Sequence, residues 1–415
     1  MDRSIPPLSL KAALPIVLAM FSVMSLGCQQ SRMVTGGVRA IWVTRGDYRS
    51  PDDVTRIMED CSRGGFNVVV FQVRGNGTAF YPSKIEPWAE QFDFQNPGFD
   101  PLALAIQEAH RRNLELHAWV NVMPAWRGTK APTCPEQLYN KHPDWFWYDQ
   151  QGRRQPLTSF YVSLNPCLPE VRQYLVDVFR EIVTNYAIDG LHMDYIRFPS
   201  EPPAIPSGSG IDYPRDAGTL ALYKEATGLE PDANKESWNK WRTDQVTQLV
   251  ADIRTMMRRE RPSAALSASV GAEYNESLRF FRDDRRWVRE QLLDAAFLMN
   301  YKSDLAAFDS ALTGWLPLRS EVTVVPGLWF APRLDTARGI EVVKQQIQSS
   351  HQKTGSFCVF SYGALFEIRE NRDRFGEENR STARQTEAAA RRAARRSTLL
   401  PVTRLVAPSV LAAGG

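Results

Sequence analysis

Phe66-Asn-Val-Val-Val-Phe-Gln-Val73 is an almost unbroken apolar run that is rich in β-branched residues. A run of this length without polar alternation is typical of a strand buried on both faces, as in a parallel sheet covered by helices. Before it, Ser50 begins a helical pattern that continues to about Arg63, and Val38–Thr44 has the pattern of another strand. The folded part of the chain therefore begins with a strand–helix–strand unit, which is typical of α/β proteins.

The same unit repeats until eight strands have been counted. The six further strands are predicted at Leu114–Val122, Asp189–Ile196, Ala265–Val270, Ala295–Asn300, Val322–Pro326 and Ser356–Phe360. Eight strands that alternate with helices predict a (β/α)8 TIM barrel, with right-handed crossovers and long loops at the carboxyl ends of the strands. An open doubly wound sheet is the competing fold, but it normally has a Gly-rich turn after its first strand, and Arg45-Gly-Asp-Tyr48 lacks that pattern.

The N-terminal residues have the composition of an export signal. The apolar run Ala12–Leu26 is shorter than the ~20 residues that span a membrane, and it follows a positive charge at Lys11. Ser25-Leu-Gly-Cys28 is similar to a bacterial lipobox, in which the cysteine becomes the lipid-modified first residue. We therefore expect a signal peptide at residues 1–28 and lipidation of Cys28. A cleaved signal without a lipid and a buried N-terminal helix are the alternatives.

Composition assigns the remainder to one large globular domain and a tail. With 43% hydrophobic and 23% charged residues, the chain is an ordinary globular protein that buries a large core. We expect the barrel at residues 38–368 and an Ala/Arg-rich tail, disordered or helical, at residues 369–415. The formal net charge is only +3, and much of the positive excess lies after Arg380, so no nucleic-acid partner is expected. Export would permit a disulfide, for which Cys134 and Cys167 are the candidate pair.

Polar residues near the carboxyl ends of the strands carry the functional hypothesis, because active sites of TIM barrels lie there. Predicted strand three has His117, Trp119 and Asn121 at alternate positions, and strand four has His192 and Asp194. Side chains alternate across a strand, so we expect each set to point into the barrel mouth. A carboxylate buried there costs several kcal/mol unless it is paired or used. Asp194 is therefore the candidate nucleophile or base; pairing with His192 or a structural arginine is the alternative.

Hydrolysis of a glycosidic bond normally needs a second carboxyl group, so that one protonates the leaving oxygen while the other attacks or activates water. Glu273, shortly after strand five, is the candidate acid; Asp304 is its rival, and another loop residue is the remaining alternative. A solvated loop carboxylate is the alternative interpretation of Glu273. A separation of ~5–5.5 Å from Asp194 would indicate a retaining mechanism, and ~6.5–9.5 Å an inverting one. We expect the acid to have a raised pKa.

Flat aromatic rings stack on the C–H faces of sugars, while Arg, Asn and Gln side chains bond the hydroxyl groups. Six tryptophans fall in loops or near strand ends, and we expect at most half of them to contact a ligand: Trp88, Trp126, Trp145, Trp147, Trp315 and Trp329. The residues predicted to bind the substrate are Arg45, Gln72, Arg74, Asn76, Tyr81, His117, Trp119, Asn121, His192, Arg197, Asn300, Tyr301, Trp329 and Tyr362.

Four motifs resemble those of a known family. They are Val70-Phe-Gln-Val-Arg74, Ala79-Phe-Tyr-Pro-Ser83, His117-Ala-Trp119 and Asp189-Gly-Leu-His-Met-Asp-Tyr-Ile-Arg-Phe-Pro199, of which the last is the most specific. From about residue 38 to residue 365 the chain resembles the bacterial glycosyl-hydrolase-like family ten. The resemblance implies a (β/α)8 barrel that acts on glycan, and for lipoprotein members of the family on peptidoglycan strands without their peptides. By position, Asp194 matches the strand-four carboxylate of the family.

The chain departs from the family pattern at two places. Tyr195 stands where a second Asp tends to follow the first, and strand five continues as Ser269-Val-Gly-Ala-Glu273 instead of a Pro-Phe-Gly turn. These departures are those of a divergent branch, whose substrate can differ even where the reaction class is kept.

Together these observations predict an exported, lipid-anchored glycoside hydrolase of the cell envelope, facing the periplasm or the exterior, with two catalytic carboxylates and neither a metal nor a cofactor. A non-catalytic glycan-binding lipoprotein on the same barrel is the main alternative, and it gains support if neither Glu273 nor Asp304 faces Asp194. A metal-dependent hydrolase is a weaker alternative, because the histidines of strands three and four could converge with Asp194. The expected partners are a glycan substrate and, through the lipid anchor, a membrane.

Overall fold

The computed structural model describes residues 37–199, 211–329 and 336–366, together with Met1 and, near the C terminus, residues 390, 393 and 396–404. Apart from Met1, the predicted signal peptide and its lipidation site Cys28 lie outside the described residues. Within the described part of the chain, no helix combines the length and the apolar character that crossing a membrane requires.

Eight parallel strands close into a barrel. Their bounds are β1 (Arg39–Val43), β2 (Val68–Gly75), β3 (Glu115–Asn121), β4 (Gly190–Asp194), β5 (Ala265–Gly271), β6 (Ala295–Met299), β7 (Thr323–Trp329) and β8 (Phe357–Phe360). Each strand pairs with the next in chain order, and β8 pairs with β1. The predicted (β/α)8 barrel is confirmed, and each predicted strand overlaps an observed one.

Helices follow the strands, and short elements fill the long loops. The helices are α1 (Pro51–Arg63), α2 (Pro101–His110), α3 (Leu138–Lys141), α4 (Pro169–Asn185), α5 (Ala217–Thr227), α6 (Lys235–Glu260), α7 (Tyr274–Leu278), α8 (Asp284–Arg289), α9 (Leu305–Thr313), α10 (Ala337–Thr354) and α11 (Tyr362–Leu365). The 3-10 turns and further short strands are Thr78–Ala79, Glu90–Phe92, Pro124–Arg127, Pro143–Trp145, Tyr161–Ser163 and Leu316–Ser320. Ser50 begins α1 with a capping box, in which its side chain accepts from Asp53 N and the Asp53 carboxylate accepts from Ser50 N.

Alternation along the strands divides the core into two layers. The inner layer fills the barrel and includes Trp42, Trp119 and Val325, while a larger outer layer lies between the strands and the helices. Because every second side chain points inward, the inward residue at the carboxyl end of a strand lies at the mouth. Asp194 at the end of β4 and Trp329 at the end of β7 are such residues.

Part of the C-terminal tail packs on the barrel. Residues 396–404 are helical, and Leu399 and Val402 are buried. Thr403 Oγ1 donates a hydrogen bond to Gly64 O at 2.7 Å, just after the end of α1. Of the two forms predicted for the tail, the helical one is therefore present at these residues.

The candidate disulfide between Cys134 and Cys167 is not formed, because both residues carry free thiols. Cys167 is buried, and burial raises the pKa of its thiol. Hydrogen bonds hold this part of the loop instead: Asn140 Nδ2 donates to Cys134 O at 2.9 Å, and Asn165 Nδ2 donates to Thr219 Oγ1 at 2.8 Å.

Candidate active site

Asp194 ends β4 at the mouth of the barrel, where it is partly exposed to solvent. Its Oδ1 accepts a hydrogen bond from Tyr195 N at 2.7 Å, and Ser269 on the neighbouring strand β5 also hydrogen-bonds the carboxyl group. Tyr195 has a φ of 52°, in the left-handed region that a bulky residue rarely adopts. Such conformations cluster at functional sites, and this one directly follows the candidate carboxyl group.

The surroundings of Asp194 favour its protonated form. Burial raises the pKa of its carboxyl group, against the opposing effects of the Tyr195 N–H group, of the charges on Arg197 and Arg282, and of the hydrogen bond from the Ser269 hydroxyl. A carboxyl group with a raised pKa holds its proton to a higher pH than a free carboxyl group does, which is the direction of shift that a general acid needs. The raised pKa predicted for the acid is therefore found at Asp194, the residue predicted to be the nucleophile or base.

An aromatic wall, formed by Tyr301, Trp329 and Phe360, lies beside Asp194. The ring centroids of Tyr301 and Trp329 are 5.8 Å apart, and those of Tyr301 and Phe360 are 6.0 Å apart. Burial raises the pKa of the Tyr301 phenol, and the negative charge of Asp194 raises it further, so the two groups are close. Trp329 is 38% exposed, and an exposed indole of this size is a surface that a sugar ring can cover.

Two arginines supply positive charge near Asp194. Arg282 is 3% exposed, and its Nε lies 2.9 Å from Asp284 Oδ1. Arg197 follows β4, and its guanidinium carbon lies 4.9 Å from the centroid of the Tyr195 ring. Both charges oppose the effect of burial on the Asp194 pKa, so the carboxyl group can also exist in its ionised form.

A second part of the mouth lies above β1 and β2. Arg45 N donates to Gln72 Oε1 at 3.0 Å, and Arg45 Nη2 donates to Asn76 Oδ1 at 3.1 Å. Gly75 leaves room for this arginine, because a Cβ atom at Gly75 would lie 1.9 Å from Arg45 Nη1. The structure thus brings together three predicted substrate-binding residues, and Arg45 hydrogen-bonds both Gln72 and Asn76.

Glu90 is a carboxylate of this second part that the sequence reasoning missed. Its Oε1 accepts a hydrogen bond from Asn76 Nδ2 at 2.9 Å. Burial raises the pKa of Glu90, against the charge of Arg45 and the hydrogen bond from Asn76. The sequence offers no signal for it beyond a carboxylate in the loop after strand two.

Tyr161 connects the two parts of the mouth. Its OH group lies 3.5 Å from Arg45 Nη2, and its ring centroid lies 5.1 Å from that of Tyr195. The guanidinium carbon of Arg127 lies 5.5 Å from the same Tyr161 ring. Asp194 and Glu90 therefore belong to one continuous lining of aromatic and cationic side chains.

The floor of the mouth has unpaired polar atoms. Trp119 and Asn121 are 4% and 2% exposed, and Asn121 is the register partner of Asp194. Trp119 Nε1, Asn121 Oδ1 and Asn300 Oδ1 have no hydrogen-bond partner among the described residues, whereas Asn300 Nδ2 donates to Phe308 O at 2.9 Å. Buried polar atoms are almost always paired, so these three atoms are suited to bind a hydroxyl group or a water molecule.

His192 lies one inward position below Asp194 on β4 and is fully buried. Its Nδ1 lies 2.9 Å from Ser267 Oγ, and its Nε2 lies 3.0 Å from Ser269 Oγ. Burial lowers the pKa of His192 well below its usual value, so the ring is neutral. The structure therefore places this predicted substrate contact beneath the mouth, where a glycan does not reach it.

Two further predicted contacts, His117 and Tyr362, also lie away from the mouth. His117 is fully buried near the amino end of β3, where its Nε2 lies 3.2 Å from Glu115 Oε2. Tyr362 is 1% exposed and faces the outer layer, where its OH group donates to Asp60 Oδ2 at 2.9 Å. Alternation identified the inward face of β3 correctly, but it does not show at which end of the barrel a residue lies.

Arg74 and Tyr81, both predicted substrate contacts, are fully buried. The Arg74 guanidinium pairs with the equally buried Glu86, with Nε 2.9 Å from Oε2 and Nη2 2.6 Å from Oε1, and Nη1 donates to Val122 O at 3.0 Å. The Tyr81 ring packs in the outer layer with its centroid 5.7 Å from that of Tyr186. Arg74 therefore ties β2 to its neighbouring loops, and neither side chain faces the mouth.

Glu273 and Asp304, the two residues predicted from sequence as the acid, both form contacts with groups other than Asp194. The Glu273 side chain is 56% exposed and forms an ion pair with Lys302. Both residues line a groove of about 470 Å³ beside α7 and α9. Asp304 is the N-cap of α9, where its Oδ1 accepts from Ala307 N at 2.8 Å. Both carboxyl groups are therefore already paired, one with an ammonium group and the other with a backbone N–H group.

The tryptophans divide into core and surface. Trp147 and Trp315 are core residues, with indole N–H groups bonded to Leu164 O at 2.7 Å and Ala272 O at 3.1 Å. Of the rest, Trp88 and Trp145 are half-buried, Trp126 is 6% exposed with its indole bonded to the backbone, and Trp329 is the one in the aromatic wall.

Across the described ranges, no group of three or more His, Cys, Asp or Glu side chains is arranged to hold a metal ion. His117, His192 and Asp194, which were considered for a metal site, do not converge on one point. His117 pairs with the first residue of β4, and Asp194 is its last, so the two lie toward opposite ends of the barrel.

The geometry can be compared with known proteins. A sequence profile described as glycosyl hydrolase-like 10 matches residues 37–323. The chain belongs to this family. Among its relatives, the glycosyl hydrolase YngK of Bacillus subtilis (strain 168) is 29% identical over 288 residues, which are 63% of this chain and 51% of YngK. The glycosyl hydrolase DigH of Escherichia coli (strain K12) is 29% identical over 268 residues, which are 57% of this chain and 55% of DigH. This family member thus spans about half the length of either relative.

Solved structures share the fold of this glycosyl hydrolase-like 10 protein. The glycoside hydrolase domain of PgaB (BpsB) from Bordetella bronchiseptica superposes with a TM-score of 0.56 at 13% identity, over 89% of this chain and 99% of that domain. The catalytic domain of β-amylase from Paenibacillus polymyxa gives a TM-score of 0.57 at 10% identity, over 80% and 94%. At these identities the likeness shows the barrel fold and nothing finer.

Proposed function

We propose that the protein is a glycoside hydrolase that cleaves a polysaccharide with Asp194 as a catalytic carboxyl group. The observation that carries this proposal is the setting of Asp194, a partly exposed carboxyl group with a raised pKa at the barrel mouth, beside an exposed tryptophan. A glycosidase needs a carboxyl group that can hold a proton close to an aromatic surface for the sugar. Membership of the glycosyl hydrolase-like 10 family supports the same reaction class.

The second carboxylate of the proposed mechanism is Glu90. It is linked to the Asp194 side of the mouth through Asn76, Arg45 and Tyr161, and burial raises its pKa. Glu273, the sequence candidate, is more exposed and is already paired with Lys302. In this account Asp194 protonates the leaving oxygen while Glu90 attacks the sugar or activates water. The unpaired Trp119 Nε1 and Asn121 Oδ1 bind hydroxyl groups at the floor.

We further propose peptide-free peptidoglycan strands as the substrate and the cell envelope as the location. The strand-two and strand-four motifs support this substrate, because they resemble those of envelope lipoproteins. The lipobox-like segment that ends at Cys28 supports a lipid anchor facing the periplasm or the exterior.

A glycan-binding module without catalysis is the second candidate. The ion pair of Glu273 with Lys302 and the capping role of Asp304 favour it, because neither carboxylate is set up as an acid. Under this reading, the aromatic wall and the unpaired floor atoms hold a glycan, and no bond is cleaved.

Mass-spectrometric product analysis tests the proposal. The protein without residues 1–28 and its Asp194→Asn variant are incubated with peptide-free peptidoglycan strands and with a panel of neutral polysaccharides. Release of short sugars from the strands by the wild type alone is the expected result. Binding of the strands by both proteins without any cleavage would establish the glycan-binding module instead.

A further inference from the structure

Arg45 and Arg127 reach the same tyrosine from the loops after β1 and β3. Arg45 Nη2 lies 3.5 Å from the Tyr161 OH group, and the guanidinium carbon of Arg127 lies 5.5 Å from the centroid of the Tyr161 ring. Arg127 is also the register partner of Tyr161 in the short antiparallel pair of Pro124–Arg127 with Tyr161–Ser163. Because directly opposed residues of two paired strands lie side by side, this pairing holds the second guanidinium group beside the ring.

Each guanidinium group is held at one end and has further N–H groups without a partner. Arg127 Nε donates to Ser159 O at 2.7 Å, and Arg45 Nη2 donates to Asn76 Oδ1 at 3.1 Å. Among the described residues, no acceptor contacts Arg127 Nη1, Arg127 Nη2 or Arg45 Nη1. Both side chains are half-buried, and these three nitrogens are not enclosed by protein atoms, so their N–H groups face solvent.

The two arginines carry more positive charge than the neighbouring carboxylate balances. Burial raises the pKa of Glu90, and the charges of Arg45 and Arg127 both oppose that effect, so both lie near this carboxylate. Its hydrogen bonds come instead from the side-chain amides of Asn76 and Gln91, at 2.9 Å and 3.3 Å. In the part of the chain that the structure describes, neither guanidinium group forms an ion pair with a carboxylate. One positive charge is therefore left over here.

A carboxylate on the substrate would balance this charge. Its two oxygens accept charge-assisted hydrogen bonds from guanidinium N–H groups, whereas a neutral hydroxyl group supplies neither the charge nor the second oxygen. We propose that Arg45, Arg127 and Tyr161 form a carboxylate-binding subsite, and that the protein binds an acidic glycan through it. The inference rests on the proposed role of the barrel mouth as the glycan site.

Two kinds of sugar carry such a carboxylate. In peptidoglycan strands without peptides, N-acetylmuramic acid has a free carboxylate on its lactyl side chain, and a uronic acid has one on the sugar ring itself. Both present the same charged group to a pair of guanidinium groups. Peptide-free peptidoglycan strands and hyaluronan, a polymer that contains glucuronate, are therefore the two probes.

Isothermal titration calorimetry measures the affinity of the full chain for each probe, in the Asp194→Asn background so that the proposed cleavage does not disturb the titration. Each probe is compared with a form whose carboxyl groups are amidated, which removes the charge and keeps the sugar backbone. At least one native probe should bind about tenfold more tightly than its amidated form, the size expected for a hydrogen bond to a charged group. This preference should shrink as the salt concentration rises from ~0.05 M to ~0.5 M.

Arg127→Met and Arg45→Met should each remove most of the preference, by weakening the binding of the native probe and not that of the amidated one. Arg127→Met disturbs the protein less, because among the described residues its side chain donates only to Ser159 O. Arg45→Met also removes the hydrogen bond to Asn76. Melting temperatures show whether each variant folds.

Arg285→Met is the matched control. Arg285 is likewise half-buried, its guanidinium carbon lies 4.8 Å from the centroid of the Tyr274 ring, and its Nη2 donates to the backbone oxygen of Gly314 at 3.2 Å. The substitution removes the same net charge from the protein, away from Tyr161, and should leave the preference unchanged.

A preference for the native probe that Arg127→Met or Arg45→Met abolishes, and that Arg285→Met keeps, supports the subsite. Four results overturn it: equal affinity for the native and amidated forms, no binding of either probe, a preference that survives both substitutions, or an equal loss in Arg285→Met. A preference for hyaluronan alone would keep the subsite and reject the proposed substrate. A preference in a protein whose wild type releases no sugar would keep the subsite and reject the proposed hydrolase.

Discussion

Tyr301 and Trp329 lie with their ring centroids 5.8 Å apart and their planes tilted by 46°, on the side of the mouth that adjoins Asp194. Trp329 is the inward residue that ends β7, and Tyr301 follows β6, so the barrel itself sets their spacing. Phe360 completes the aromatic wall at 6.0 Å from Tyr301. A sugar ring that covers Trp329 would place its neighbouring glycosidic bond near the carboxyl group.

Trp329→Ala should weaken substrate binding more than it slows the chemistry. The substitution removes the exposed stacking surface, and losing ~1.5 kcal/mol of contact raises KM about tenfold. The melting temperature should hardly change, because the side chain is 38% exposed. Steady-state kinetics check this, with Trp329→Phe as the control that keeps a flat ring. An unchanged KM would exclude Trp329 from the glycan site.

Arg74→Met should destabilise the fold instead of weakening glycan binding. It leaves the Glu86 carboxylate buried without its partner, at a cost of roughly 3–5 kcal/mol in the free energy of unfolding. Urea denaturation measures this cost. Arg63→Met is the control: it breaks the exposed pair with Glu59 and should cost less than about 1 kcal/mol. If Arg74→Met weakens glycan binding and leaves the free energy of unfolding unchanged, Arg74 contacts the substrate after all.

Asp194→Asn should stabilise the protein at neutral pH. The Asp194 pKa is raised in the folded state, so its contribution to stability is fully present below the unfolded value of ~3.9 and is lost as the pH rises through the folded pKa. Asparagine resembles the protonated form and avoids this loss. The melting temperature of the variant relative to wild type should therefore rise with pH across that window, by about 2 °C for each kcal/mol.

Glu273→Gln is the control for that experiment, because it makes a matched carboxyl-to-amide change at a side chain that is 56% exposed. A melting-temperature difference between Asp194→Asn and wild type that stays constant with pH would mean that the Asp194 pKa is not raised by folding.

Glu90→Gln and Glu273→Gln should differ strongly in their effect on catalysis. Loss of a general base lowers kcat by about 10²–10⁴-fold, and we expect this for Glu90. Glu273→Gln should stay within about tenfold of the wild-type rate, which is less than the loss of a general acid or base would cause. Rates on peptide-free peptidoglycan strands, with melting temperatures to show that both variants fold, give the comparison. A large loss of kcat in Glu273→Gln, with little loss in Glu90→Gln, would instead identify Glu273 as the second carboxylate.

The barrel was predictable because strands buried on both faces leave long apolar runs in the sequence, as at Val68–Gly75. Alternation along β4 likewise predicted an inward Asp194 at the strand end. Arg74, predicted as a substrate contact because it lies at the end of strand two, is instead buried against Glu86, next to a register shift between Gln72 and Arg74 in the pairing of β2. The prediction that His117 faces the barrel interior was correct, but periodicity does not give the depth at which a residue lies within the barrel.

Other parts of the site had no local pattern to reveal them. Glu90 and Arg282 lie outside the barrel strands, and only the closed barrel brings Glu90 near Arg45 and Arg282 near Asp194. Ser269 was recognisable from sequence as a small residue on strand five, but its contact with His192 depends on the pairing of β4 with β5. Contacts of this kind arise from the pairing between strands, and a single sequence does not show which strands pair.

The catalytic role of Asp194 is tested by comparing the wild type with Asp194→Asn on peptide-free peptidoglycan strands. Both kcat/KM and glycan affinity are measured. Asparagine keeps the shape of the side chain but cannot supply the proton. We predict that kcat/KM falls by at least about 10²-fold while the affinity for the strands is retained. Cleavage by Asp194→Asn at the wild-type rate would show that Asp194 takes no part in the chemistry.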